Sequence, residues 1–272
     1  MTLGLGWQLI AELLLLGCCT GYLAGLLGIG GGMLLVPFVT LLLTARGFPE
    51  AHVLKTAVAT SLATICFTSV ASVRAHHARG AVRWDVARLL APGILLGAFV
   101  GAQLARVLPA RLLGLLFVAF LAFSATQMLV DRKPKPGRQL PQAPGMLGVG
   151  GGIGLLSSLV GAGGAFVSVP FMTWCNVPIH QAVATSASLG FPIALAGTLG
   201  YVWAGWSLHD LPPGAAGFIF VPALLVISAA SICTAPLGAR TAHGMDVRRL
   251  KRVFALMLFL LAAYMLQRAW RH

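Results

Sequence analysis

Long apolar runs separated by short polar connections fill most of the chain. They cover 7–27, 33–45, 54–74, 86–108 and 112–130, then 146–160, 165–175, 182–204, 214–236 and 252–267. A helix that crosses a bilayer needs roughly 20 apolar residues, so the longer runs predict membrane helices. Between the two series lies Asp131 to Pro144, which holds three prolines before Pro144 and four basic residues. It reads as the one linker. The predicted organisation is a first transmembrane unit at 1–130, a linker at 131–144 and a second unit at 145–272.

The two units carry the same punctuation. Ala57-Val58-Ala59-Thr60-Ser61 recurs as Ala182-Val183-Ala184-Thr185-Ser186. Upstream, Gly28-Ile29-Gly30-Gly31 leads to Val36-Pro37-Phe38 and Thr40, and Gly161-Ala162-Gly163-Gly164 leads at the same spacing to Val169-Pro170-Phe171 and Thr173. Gly80 and Gly205 fall at equal distances beyond the two AVATS segments. Matches in one order along both units indicate an internal duplication of five apolar segments each.

Charge tests how the copies are oriented. The connection 74–88 carries Arg74, Arg79, Arg83 and Arg88 against Asp85, while its counterpart 205–213 carries only His209 and Asp210. The connection 106–111 carries two arginines, and its counterpart 240–252 carries Arg240, Arg248, Arg249, Lys251 and Arg252 against Asp246. The heavily basic loop thus changes place between the copies. Cytoplasmic loops collect Lys and Arg, so this swap predicts an inverted repeat. Counting five segments per copy puts 74–88, 131–144 and 240–252 inside and both termini outside. Arg268 and Arg271 are the discord, since they would lie outside.

The second segment of each copy is short: Met33–Ala45 and Ala165–Cys175 would reach about 16–20 Å as helices, against a hydrocarbon core of roughly 30 Å. The expected fold is an all-α integral membrane protein. It has two inverted repeats of about five helical segments, with short or re-entrant half-helices after the glycine-rich breaks.

Composition narrows the function classes. Charged residues are 9% of the chain and mean hydropathy is +0.90, where a soluble domain is about a quarter charged. The net charge of +13 sits mostly in the short connections, so it reads as topology rather than as a nucleic-acid surface. The partner it implies is the lipid bilayer. The five cysteines lie in or beside apolar segments, without CxxC or zinc-ligand spacing, and read as small packing residues. His76-His77 has no third metal ligand nearby. The N-terminus lacks a basic n-region and its first apolar run is too long for a signal peptide, which predicts a retained helix. No HExxH, GxSxG or P-loop is present, so no enzyme activity, metal or cofactor is expected.

Candidate binding residues follow from the breaks. Irregular backbone at membrane depth is tolerated where protein or a watery cavity satisfies it. Gly28, Gly30 and Gly31, and Gly161, Gly163 and Gly164, are where a helix would break. The following short helix would then begin with free N–H groups at the positive end of its dipole, which suits an anion. A plain tight turn, or small residues easing helix packing, is the competing account. Thr60, Ser61, Thr185 and Ser186 offer neutral hydroxyl donors, against the alternative that they bond their own helix. Lys55 and His180, two residues before each AVATS segment, could draw an anion inward or sit at the interface. Glu12 is the one carboxylate inside an apolar segment, and an interfacial role competes with ion coupling.

With its GxGGG-x4-P entry, AVATS-type segments, duplication and size, the whole chain resembles the sulfite exporter TauE/SafE family. The second copy reads GAGG where the first reads GIGGG, so the two breaks need not be equivalent. The resemblance implies a plasma-membrane permease for anionic sulfur compounds such as sulfite, sulfoacetate or related organosulfonates. The expected function is secondary transport of small anions by alternating access, with export the expected direction. An anion channel and a membrane assembly or redox factor are the rivals. The oligomeric state is open, a homodimer included.

Overall fold

Backbone polar groups in hydrocarbon must be satisfied within the protein, and uninterrupted apolar runs do this as helices. The computed structural model describes residues 6–27, 32–130, 137–208, 211, 214–242 and 247–271. Among them are ten helices: α1 (Trp7–Leu27), α2 (Gly32–Ala45), α3 (Glu50–Ala78), α4 (Trp84–Val107), α5 (Ala110–Val130), α6 (Ala143–Val160), α7 (Ala165–Trp174), α8 (Ile179–Gly205), α9 (Val221–Ala242) and α10 (Val247–Arg271). Eight are long and apolar enough to cross a membrane; α2 and α7 are the short ones. The protein is an all-α multi-pass membrane protein. The outer turns of α3 and α8 extend past the apolar runs that predicted them, and α6 begins at Ala143, inside the expected linker.

One expected segment is wrong at its start. The run 214–236 does not begin as helix: Ala215–Ala216 pairs antiparallel with Ile219–Phe220, and α9 starts at Val221. Gly214 and Gly217 adopt φ of +87° and +56°, a conformation open to glycine and excluded from a helix. Pro222 then sits in the first turn of α9, where its missing N–H costs nothing. The hairpin is apolar because it is buried: Phe218, Ile219 and Phe220 are all in the core.

The short helices turn back. Arg46, just beyond α2, forms an ion pair at 2.8 Å with Glu12 near the start of α1. The backbone N–H of Gly137, ahead of α6, donates to the carbonyl of Trp174 at the end of α7, at 3.2 Å. Each short helix therefore ends beside the beginning of the helix before it.

Further bonds sort the chain ends onto two faces of the bundle. On face I, the Lys55 ammonium donates to the Arg106 carbonyl at the end of α4 at 2.8 Å. The Arg106 guanidinium reaches the Ser207 hydroxyl beyond α8. Arg268 near the end of α10 donates to the Thr40 carbonyl and the Thr44 hydroxyl on α2. Face II carries the α3–α4 connection, residues 137–142 and the start of α8. Arg83 N–H on that face donates to the Thr185 hydroxyl.

Helix contacts cross between the two units. α1 packs on α9 and α4 on α6, while α3 packs on α8 and α5 on α10. The first helix of each unit thus lies against the fourth helix of the other. In lipid there is no hydrophobic drive between helices, so close van der Waals fit holds them together. Glycines four residues apart supply it. On α4, a Cβ at Gly93, Gly97 or Gly101 would run into the backbone of Leu147 or Gly151, or into Ser158. On α1, Gly17, Gly21 and Gly25 meet Ala230, Ser231 and Ala235 in the same way.

Candidate functional site

The described break lies between α6 and α7. Gly161 ends α6 with φ +72° and Gly164 precedes α7 with φ +76°, left-handed values that cost other L-residues roughly 1–2 kcal/mol. The Ala162 N–H returns to the Ser157 carbonyl at 3.1 Å and closes the helix end. Gly163 is not in the left-handed region. A Cβ there would meet no described atom within 4 Å.

α7 begins with the orphan donors that every helix start presents. The first bonds of its opening turn come from Val167 and Ser168 to the Gly164 carbonyl. Among the described residues, no acceptor meets the N–H groups of Gly163, Gly164, Ala165 and Phe166. The Ser157 hydroxyl is buried and likewise has no partner among the described residues. It lies beside the turn, 3.1 Å from where a Gly164 Cβ would be.

The break is pressed into the other unit. A Cβ on Gly161 would lie 3.2 Å from the Val58 Cα and 2.9 Å from the Val36 side chain. The Ser61 hydroxyl lies 3.0 Å from the Gly161 carbonyl oxygen and 3.1 Å from that of Gly32, and donates between them. Gly32 opens α2, and a Cβ on it would sit 2.6 Å from the same Gly161 oxygen. One serine of the first AVATS segment thus ties the second break to the residue that follows the first. Gly28, Gly30 and Gly31 lie outside the described residues.

The remaining candidates divide. Ser186 shares a 2.7 Å hydrogen bond with Ser168 of α7, and both are buried. Thr60 and Thr185 accept backbone N–H groups: Phe220 donates to Thr60 at 3.1 Å and Arg83 to Thr185 at 2.9 Å. Each donor is the residue just ahead of a fourth helix, α9 or α4. Lys55 and His180 are not brought together. Lys55 is buried on face I against the last turn of α4, and His180 is exposed near the start of α8 on face II. Glu12 is held by Arg46 at the surface. No group of three or more His, Cys, Asp or Glu able to hold a metal occurs among the described residues.

Against known proteins, the model of the family described as "Sulfite exporter TauE/SafE" matches residues 13–265. This chain belongs to the TauE/SafE family. A "Probable membrane transporter protein" of Haemophilus influenzae is 36% identical over 93% of this chain and 96% of its own length. "Probable membrane transporter protein MJ0441" of Methanocaldococcus jannaschii is 25% identical over 95% of this chain and 96% of its own. A "Probable membrane transporter protein" of Xylella fastidiosa is 28% identical over 93% and 94%. No solved structure matches. The chain is a membrane transporter of the TauE/SafE family.

Sequence reasoning missed several residues of this TauE/SafE chain. Ser157 and Ser158 stand just ahead of GAGG, a polar pair in an otherwise apolar helix, and that was a readable signal. Tyr201 is buried with its hydroxyl donating to the Ser158 carbonyl at 3.1 Å. It carried no signal, because its partner lies on another helix. The Phe218–Phe220 hairpin was hidden inside an apolar run.

Proposed function

We propose that the chain is a secondary transporter that exports small oxyanions, sulfite or organosulfonates such as sulfoacetate, by alternating access. The observation that carries this reading is the set of N–H groups at Gly163–Phe166 without an acceptor among the described residues, at a glycine whose Cβ position meets no described atom within 4 Å. Amide donors at a helix start attract an anion through the dipole and bind it without a fixed charge. A neutral site releases what it binds more readily than one built on a buried lysine. Ser157, whose buried hydroxyl has no partner among the described residues, completes the donor set.

Alternating access needs two ends that open in turn. We read the two units as an inverted repeat; the exchange of first and fourth helices and the opposed placement of the starts of α3 and α8 support it. Face II holds Arg74, Arg79, Arg83, Arg88 and Arg138 and is assigned to the cytoplasm of the plasma membrane, with both termini outside. Thr185–Arg83 and Thr60–Phe220 close the two faces.

Efflux and counterflow of labelled sulfite, sulfoacetate and sulfate in proteoliposomes, with and without a pH gradient, test the reading. Saturable flux with counterflow is expected. Flux that neither saturates nor exchanges places the protein with channels, and absence of flux for every anion removes the reading.

A further inference from the structure

A cleft of about 410 Å³ opens between the face II end of α3, the start of α4 and the middle of α8. Its walls are apolar, with Val70, Ala91 and Phe191 among them, yet Arg74 and Arg88 also line it. Both arginines are exposed, and neither has an ion-pair partner among the described residues. The acid at hand, Asp85, is already held by the guanidinium of Arg83, with Nε at 2.9 Å from one oxygen. Two free guanidiniums over a hydrocarbon wall call for a ligand that is anionic at one end and apolar at the other.

The position in the helices says where that ligand comes from. Trp84 to Ala91 forms the first two turns of α4, within about 11 Å of its face II end, the depth at which headgroups meet acyl chains. Trp84 stands at the rim with its indole N–H donating to His77 Nδ1 at 3.1 Å, the usual station of tryptophan in a membrane. From the cleft an exposed apolar track runs deeper. Phe191, Leu195 and Leu199 are 38%, 39% and 56% exposed on one stripe of α8, and Phe67 on α3 is 50% exposed.

We propose that this cleft binds an anionic phospholipid, its phosphate between Arg74 and Arg88 and one acyl chain over Val70, Ala91 and Phe191. A soluble oxyanion has no use for the apolar walls. A second copy of the chain, packed here about a two-fold axis, would bring the arginines of both copies together. The proposal stands apart from the transport reading, since what it predicts is bound lipid rather than flux.

Native mass spectrometry of the full chain released from nanodiscs of equal phosphatidylglycerol and phosphatidylcholine tests it. Preferential retention of phosphatidylglycerol is expected. Each of Arg74→Gln and Arg88→Gln should lower that retention about five-fold, at the strength of one basic residue near a membrane surface. Ala91→Trp, which fills the cleft and leaves the charges, should lower it too; Ala91→Leu serves if the tryptophan variant does not give a monodisperse protein. Arg79→Gln, in the same connection but outside the cleft, should change nothing. Equal retention of both lipids overturns the site, and so does an Arg79→Gln loss as large as that of Arg74→Gln. Competition by glycerophosphate as effective as by the lipid, or a dimer that excludes lipid, also overturns it.

Discussion

The hydroxyl of Thr185 on α8 accepts the backbone N–H of Arg83, the residue that leads into α4, at 2.9 Å. Thr60 on α3 does the same for Phe220, the residue that leads into α9, at 3.1 Å. Two equivalent threonines of a duplicated segment thus each hold the entry of a fourth helix, one on each face of the bundle. Their oxygens act as acceptors, so they position backbone rather than serve only as donors to an anion.

Thr60→Val should leave the buried Phe220 N–H without an acceptor, which costs about 1–3 kcal/mol, and Thr185→Val the part-buried Arg83 N–H, at a smaller cost. Thermal unfolding in detergent should fall for both, and Thr→Ser at either position should restore it. Each valine variant should also raise labelling of a cysteine placed near Gly163 from one side of the membrane, and the two variants from opposite sides. Equal stability of the valine and serine forms would show that the two bonds carry no weight.

Lys55→Met removes the ammonium that bonds the Arg106 carbonyl. A hydrogen bond from a charged group is worth about 1.5–3 kcal/mol, so stability should drop by that order. Because Lys55 is buried against α4, anion affinity should show the same ionic-strength dependence in variant and wild type. A lysine that steered anions from the surface would flatten that dependence when removed.

Gly97→Val should break the α4–α6 seam, since even a Cβ there overlaps the Gly151 carbonyl. Overpacking of this kind costs about 1–3 kcal/mol or more. Gly152→Val on α6 is the control, because no described atom lies within 4 Å of its Cβ. Folded yield after detergent extraction should collapse for the first and hold for the second.

Topology is checked by cysteines introduced at Arg79 and Trp206 in a background without the native thiols. Membrane-impermeant labelling should reach Arg79Cys only from the cytoplasmic side and Trp206Cys only from outside. Labelling of both from one side contradicts the inverted arrangement.

Most of the helix order was legible because membrane helices are set by local apolar length, and the AVATS and glycine repeats marked the duplication directly. The start of α9 was not, because residues 215–220 are as apolar as the helix they precede; only Gly214 and Gly217 hinted at a turn. The glycine run at 161–164 was identified as a break. Which glycine needs a positive φ depends on packing, that of Gly161 against Val36 and Val58, and the chain order does not carry that. Lys55 and His180 looked equivalent by register, yet one is buried against α4 and the other exposed. Arg268, a discord for the charge pattern, is bonded to α2 through Thr40 and Thr44, so its position reflects packing rather than orientation.

The central claim is that an oxyanion binds at the N–H groups around Gly163, and Gly163→Ala against Gly161→Ala tests it most directly. Gly161 has φ +72° and would clash with Val36, so its variant should lose folded protein. Gly163 has neither constraint among the described residues, so its variant should unfold at the wild-type temperature while its methyl group crowds an anion held at the neighbouring N–H groups. Counterflow of labelled sulfite and sulfoacetate in proteoliposomes should then fall at least ten-fold for Gly163→Ala, a change of about 1.4 kcal/mol. Wild-type counterflow by a fully folded Gly163→Ala protein would contradict the account.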